Sequence, residues 1–240
     1  MIKKIKKVII DNKLSQKEIM LQLKEIEWGL IFQDSIKGNQ ALKNLSLNIG
    51  RWSGNYSFFY VLNRILADYK PLSILEIGLG ESTKFISTFI ENDTNSANHL
   101  IIEQNQDWIN SFNEKFKLSN NSRIIFCPIK NENVKGHNSI MYSGLNNKIT
   151  TKFNLYVIDG PHGSDRYSRY DILGLAEKFT SNDEFIILFD DTNRKGEMDT
   201  VTDLISLLES KKIQIHIGSY SGNKSQTIIA TNKYKFTTSF

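Results

Sequence analysis

The stretch Leu75-Glu76-Ile77-Gly78-Leu79-Gly80-Glu81-Ser82-Thr83 sets two glycines between an apolar run and a segment of helical pattern. Glycine at such a junction lets the chain turn sharply and lets a ligand approach the backbone closely. Ser82 is placed to cap the following helix, whose free N–H groups favour an anionic ligand group. Thr83 stands three residues after Gly80, where a dinucleotide-binding turn carries its third glycine, and this argues against a pyrophosphate cofactor. Glu103 closes the next apolar run, the position from which a carboxylate accepts hydrogen bonds from both hydroxyls of a ribose. Glu76 adds a carboxylate beside the turn and suits a cationic amino group. A nucleoside with an amino-acid tail fits these groups better than a dinucleotide.

Two further segments end apolar runs in acids. They are Val157-Ile158-Asp159-Gly160-Pro161-His162-Gly163 and Leu188-Phe189-Asp190-Asp191-Thr192-Asn193-Arg194. Open α/β sheets bind ligands beyond the carboxyl ends of their strands, so both segments should face the crevice of the glycine turn. Asp159, Asp190 and either Asp191 or Asn193 offer hard oxygen ligands of the kind Mg²⁺ or Mn²⁺ prefers. Plainer roles compete with these. Asp190 and Asp191 can cap a helix starting near Lys195. His162 can be an exposed turn residue, and Trp52 can be core packing rather than a cofactor contact. Arg166, Arg169 and Arg194 are either surface cations or holders of a carboxylate or phosphate on an acceptor. Cys127 reads as a buried strand residue. His99 and His216 lack metal-ligand spacing and receive no role.

The elements that must position these groups follow from hydrophobic periodicity. Short apolar runs predict strands at 73–77, 100–103, 123–127, 154–158, 184–189, 214–217 and 226–230, with helices at 82–91, 107–116, 167–179 and 198–210 between them. That alternation predicts an α/β fold: a Rossmann-like, seven-stranded, mostly parallel sheet with helices on both faces. The short gap 219–223 admits a hairpin but no helical crossover, so the last strand should run antiparallel. Ahead of the sheet, Ile19, Leu23, Ile26 and Leu30 recur at spacings of three and four and predict an amphipathic helix over 14–32, with a second helix over 56–68. The expected organisation is an N-terminal helical segment, 1–55, and a sheet domain, 56–240. The polar stretch 130–151 reads as a long loop that covers a site.

Composition bounds the rest. The 240 residues are 40% hydrophobic and 23% charged, ordinary for a globular protein. Thirty Lys and Arg against 26 Asp and Glu give +4, a scattered surplus that does not make a nucleic-acid-binding face. A single cysteine excludes a disulfide framework and a cysteine-rich zinc site. The run Phe185-Ile186-Ile187-Leu188-Phe189 falls far short of the ~20 residues of a membrane span. The start, with Lys3, Lys4, Lys6 and Lys7 ahead of Val8-Ile9-Ile10, lacks the apolar core and cleavage site of a signal peptide and reads as a solvated end. A cytoplasmic protein is expected.

Ile74-Leu75-Glu76-Ile77-Gly78-Leu79-Gly80-Glu81-Ser82-Thr83 resembles the first motif of class I S-adenosylmethionine-dependent methyltransferases, and Glu103 matches the acidic residue of their second motif. The resemblance runs from about Tyr56 to the C-terminus. It implies S-adenosylmethionine as cofactor, with Glu76, Gly78 and Gly80 at the methionine moiety, Glu103 at the ribose and Cys127-Pro128-Ile129 near the adenine. Ser82, Thr83 and Asp159 complete the expected cofactor-binding set. The acidic segments are similar to those of catechol-type metal-dependent O-methyltransferases. There Asp159, Asp190 and Asp191 fall on the metal-binding positions, and His162 falls on the general-base position. Gly160-Pro161 and Asp191 depart from that pattern, and Asp-Gly-Pro with Asp-Asp-x-x-Arg is closer to methyltransferases associated with surface polysaccharides. The implied activity is O-methylation of a small molecule or sugar, with Asp159 and His162 catalytic, Mg²⁺ or Mn²⁺ assisting, and Arg166, Arg169 and Arg194 at the substrate. A non-catalytic nucleotide-binding protein of the same fold, or an NAD-dependent sugar oxidoreductase, are the alternatives.

Overall fold

The computed structural model describes residues 2–93 and 97–240; the side chains of residues 2–5, 7 and 8, among them the basic Lys3, Lys4 and Lys7, lie outside the description. The chain begins with a long helix, α1 (Ile2–Ser35), a short α2 (Gln40–Asn44) and α3 (Tyr56–Arg64), which leaves through a wide π turn. The sheet region follows as β1 (Ser73–Ile77), α4 (Glu81–Asn92), β2 (Asn98–Glu103), α5 (Gln106–Lys115) and β3 (Ser122–Phe126). Next come β4 (Ile129–Val134), β5 (His137–Tyr142), α6 (Leu145–Lys148), β6 (Leu155–Ile158), α7 (Asp171–Ala176), β7 (Ile186–Phe189) and α8 (Lys195–Ser210). The chain closes with β8 (Ile215–Ser221), β9 (Ser225–Thr231) and a 3₁₀ turn.

Seven strands form one sheet in the order β3-β2-β1-β6-β7-β9-β8. Its parallel pairs are β3–β2, β2–β1, β1–β6 and β6–β7, and β9 runs antiparallel to both β7 and β8. Period-two alternation sends β1, β6, β7 and β9 residues to two cores. Ile74, Leu155, Val157, Ile186, Leu188 and Ile228 pack under α3, α4 and the C-terminal end of α1. Leu75, Ile77, Tyr156, Ile158, Ile187 and Phe189 pack under α7 and α8. Both faces are therefore covered, which is why these strands read as continuous apolar runs rather than as alternating ones.

Three expectations are corrected. The stretch 130–142 is no loop: β4 and β5 form an antiparallel hairpin, turned at Lys135 (φ 51°) and Gly136 (φ 84°). Both turn residues are left-handed, which matches strand twist; the hairpin was hidden because Lys130, Asn131, Glu132 and Asn133 give β4 a polar run without alternation. The helix expected over 167–179 shrinks to Asp171–Ala176, since Tyr167 and Arg169 take left-handed φ of 50° and 57° and end any helix there. Helix α1 runs much further than 14–32. Its predicted apolar stripe also faces away from the protein: Ile19, Leu23, Ile26 and Leu30 are 54–70% exposed. The buried side of α1 carries Trp28 and Phe32, with Ile36 just beyond it, and these join the core of α3 and β1. Residues of the 1–55 segment thus share a core with the sheet.

Phe32 sits within 6.0 Å, ring to ring, of Tyr56, Phe59 and Phe85. Phe32→Ala removes this buried ring, and we expect urea denaturation to show a loss of about 3–5 kcal/mol.

Candidate functional site

The carboxyl ends of β1, β2, β6 and β7 open onto a cleft of about 580 Å³, lined among others by Gly78–Ser82, Glu103–Asn105, Trp108, Asp159–Gly163, Arg169 and Arg194. Its floor depends on two glycines. Gly78 has φ +110°, and a Cβ there would lie 3.1 Å from the Asp159 carbonyl carbon and the Gly160 nitrogen. A Cβ on Gly160 would meet the Gly78 Cα and the Tyr142 hydroxyl at 3.0 Å. The ends of β1 and β6 therefore touch backbone to backbone. Gly80 differs: its φ is extended (−169°) and a Cβ would meet nothing within 4 Å. The protein itself does not need glycine at 80, which leaves the open space beside it for a ligand.

The capping expected of Ser82 is made otherwise. Gly80 is the N-cap of α4, and its N–H donates to Thr83 Oγ1 (3.0 Å). Ser82 Oγ donates instead to Glu76, whose second oxygen bonds His99 Nε2 at 2.9 Å. Glu76 and His99 are wholly buried, and neither Glu76 nor Thr83 lines the cleft. His99, which the sequence left without a role, fixes Glu76 at the base of β1.

Glu103 does reach the cleft. Its Oε2 accepts from Leu79 N (3.1 Å), and Oε1 accepts from Gln104 N (2.9 Å) and Asn105 N (2.8 Å). A carboxylate has about four acceptor positions. One remains on Oε2, so the carboxylate can take one ligand hydroxyl rather than two. Trp108, which sequence reasoning missed, donates its indole N–H to Leu79 O (2.8 Å) and keeps 44% exposure beside Glu103. Cys127 is buried, donates to Ser143 O and is not on the cleft wall. Burial pushes its thiol pKa up.

The acidic strand ends converge as expected. Asp159, Asp190 and Asp191 each offer an oxygen within 4.8 Å of the others. A cation is already among them. Arg169 is 4% exposed; its Nη2 lies 3.0 Å from Asp159 and 2.8 Å from Asp191, and Nη1 donates to the Asp190 and Ile158 carbonyls. Lys224, from the β8–β9 turn, stands 3.3 Å from Asp191 and 4.0 Å from Asp190, and Arg194 adds a contact to Asp191 at 3.1 Å. Asp190 further accepts from Gln226 Nε2 and points away from the cleft wall. Burial pushes the Asp159 carboxyl up to about 8 against the opposing pull of Arg169. Burial likewise raises Asp190, with Asp191 adding to it. For Asp191 burial is outweighed by Arg169, Lys224 and Arg194, which hold it below the usual carboxylate range.

These residues do not fit a resident Mg²⁺ or Mn²⁺ as they stand. Such an ion binds at about 2.0–2.1 Å from its oxygens, which would press it against the Arg169 guanidinium and the Lys224 ammonium. The buried carboxylate oxygens without a hydrogen bond, Asp190 Oδ2 and Asp191 Oδ1, are the ones that Lys224 faces. Sequence alone carried no signal for Lys224, because a hairpin turn brings it from a distant strand pair.

His162 is exposed on the cleft wall and makes no hydrogen bond or ion pair among the described residues. Of the arginines expected at a substrate, Arg194 lines the cleft half-exposed, Arg169 is the buried counter-ion, and Arg166 pairs with Asp199 outside the cleft. Trp52 is 93% exposed at the rim, with Arg51 beside it, and is not part of the core.

No protein-family profile matches the chain, and no curated protein matches it. Solved structures do. A methyltransferase of Podospora anserina bound to S-adenosylhomocysteine (SAH) superposes with a TM-score of 0.50 at 15% identity, over 85% of this chain and 87% of that one. The O-methyltransferase of Bacillus cereus in complex with SAH gives 0.50 at 12% identity, over 84% and 91%. The chain has the fold of class I S-adenosylmethionine-dependent methyltransferases.

Gly78→Ala forces a Cβ against the β6 backbone at a left-handed φ, and we expect its unfolding free energy to fall by about 1–3 kcal/mol. Gly80→Ala should leave the thermal midpoint in place and weaken ligand binding, because its methyl projects into the cleft. Calorimetric unfolding and ligand titration on both variants check the contrast.

Proposed function

We propose that this protein transfers a methyl group from S-adenosylmethionine to an oxygen of a small molecule or sugar. One observation carries the reading. The glycine turn, the pre-aligned Glu103 and the pair Asp159 and His162 all line one cleft, in a chain with a methyltransferase fold. The turn at Gly78–Gly80 offers backbone approach, Glu103 Oε2 offers one acceptor for a ribose hydroxyl, and the exposed Trp108 offers a ring face for the adenine.

When bound, S-adenosylmethionine supplies an electrophilic methyl on a sulfonium: the acceptor oxygen forms a C–O bond as the C–S bond breaks, and the hydroxyl proton leaves. The work of the chain is alignment and proton removal. Asp159, held by Arg169, accepts a hydrogen bond from a neighbouring hydroxyl of the acceptor and so orients the reacting one. His162, exposed on the same wall, takes the proton. Trp52 at the rim offers an apolar platform for a sugar ring, and Arg51 and Arg194 suit an acceptor bearing a carboxylate or phosphate. A sugar of a surface-polysaccharide pathway is the acceptor class this reading favours. No step is routed through a divalent metal, since Arg169 supplies the positive charge among the three aspartates.

Titration calorimetry tests the cofactor: S-adenosylmethionine and SAH should bind, and NAD should not. Glu103→Ala should weaken SAH about tenfold or more, the loss of about 1.5–3 kcal/mol expected for a hydrogen bond to a charged group. Binding of NAD in place of SAH would overturn the methyltransferase reading.

Turnover assays test the chemistry once an acceptor is found by screening. His162→Ala should lose kcat while retaining wild-type SAH affinity. EDTA should leave the rate unchanged; a rate abolished by EDTA and restored by Mg²⁺ would return the three aspartates to metal binding.

A further inference from the structure

Helix α1 has two apolar faces, and its own domain covers one of them. Trp28 and Phe32 pack inward, while Ile9, Ile19, Leu23, Ile26 and Leu30 are 49–70% exposed. Every described side chain from Ile9 to Met20 is exposed, so the described residues leave this part of the helix uncovered. The outward residues follow a heptad. Positions a are Ile9, Gln16, Leu23 and Leu30, and positions d are Asn12, Ile19 and Ile26. Trp28 and Phe32 then fall at f and c, opposite the a/d seam, which is why the domain leaves the seam free.

We propose that α1 forms a parallel, in-register coiled coil with the same helix of further copies of this chain. A sustained 3.5-residue repeat is the pattern of helices that supercoil around one another. The two polar seam positions favour self-pairing: in register and parallel, Asn12 meets its counterpart and Gln16 meets its counterpart along the full seam, whereas the antiparallel register that sets Asn12 against Gln16 leaves Leu30 without a partner. Leu at a with Ile at d, as in residues 19–30, favours three or four strands over two. The five exposed seam residues and Met20 give on the order of 1,000 Å² from each helix pair, about what a specific interface needs, and a third or fourth helix adds to it. Because Trp28 and Phe32 anchor the domain on the opposite side of the helix, the domains of an assembly project outward.

Sedimentation equilibrium on the full chain tests the proposal. The expected mass is three or four times the 27.6 kDa of one chain, and Ile19→Asp with Leu23→Asp should reduce it to one. A folded core in that variant is read from near-ultraviolet circular dichroism. Should it misfold, Ile9→Asp alone, at an exposed site, should still shift the association midpoint to higher concentration. Asn12→Cys should cross-link copies on mild oxidation, since the native Cys127 is buried. A dimer dispersed by these substitutions would keep the seam and overturn the strand number. A monomeric wild type, including one that binds anionic vesicles, or an oligomer indifferent to the substitutions, would overturn the proposal.

Discussion

The guanidinium of Arg169 is buried at the base of the cleft, and the carboxyl end of the sheet is arranged around it. It contacts the side chains of Asp159 and Asp191 and the carbonyls of Ile158 and Asp190, so it ties the ends of β6 and β7 together. Glu197 in α8 approaches from the other side at 4.0 Å. A buried charge in this position must be paired, and removing either partner of such a pair costs about 3–5 kcal/mol because the other is left uncompensated. Arg169 and Asp191 both adopt left-handed backbone, φ 57° and 61°. That conformation is unfavourable for side chains of this size, and the ion pairs hold it in place. The shortened α7 follows from the same constraint, since the residue that delivers the guanidinium cannot also be helical.

A second constraint is the contact of Gly78 with Gly160. Two strand ends that touch through bare backbone leave no side chain between the glycine turn and the segment bearing Asp159 and His162. The distance from a bound ligand to the acid is thereby set by main chain, which is stiffer than any rotamer. Glu103 is set in a similar way, with three backbone N–H groups fixing its carboxylate before a ligand arrives. Pre-orientation of this kind spares the ligand the entropy of ordering the site.

The long helix follows a different logic. Its inner face contributes Trp28 and Phe32 to the aromatic core above β1, while its outer face carries a regular apolar seam. Attachment of the domain and exposure of the seam are two results of one amphipathic pattern with two stripes. No described helix is long and apolar enough to cross a membrane. The seam is interrupted by Asn12 and Gln16, a pattern suited to specifying partners and poor for entering lipid.

The sheet, its order of elements and the closing hairpin were legible in the chain itself. Runs such as 154–158 and 184–189 suit strands in the interior of a sheet covered on both faces. The residues of the glycine turn, Glu103 and the acidic strand ends were legible for the same reason: in an open α/β sheet the strand ends share one crevice, so local sequence implies shared location. What tertiary structure decided was which atoms face that crevice. Glu76 turned away to His99, which lies one strand over, and Lys224 came in from a turn that no spacing connects to Asp191. Arg169 read as one surface cation among three until burial made it the counter-ion of Asp159 and Asp191. The stripe on α1 was visible as a stripe, but a stripe does not say what covers it. Periodicity is a property of a segment alone, whereas pairing, burial and the sign of the local field depend on groups that only the folded chain brings together.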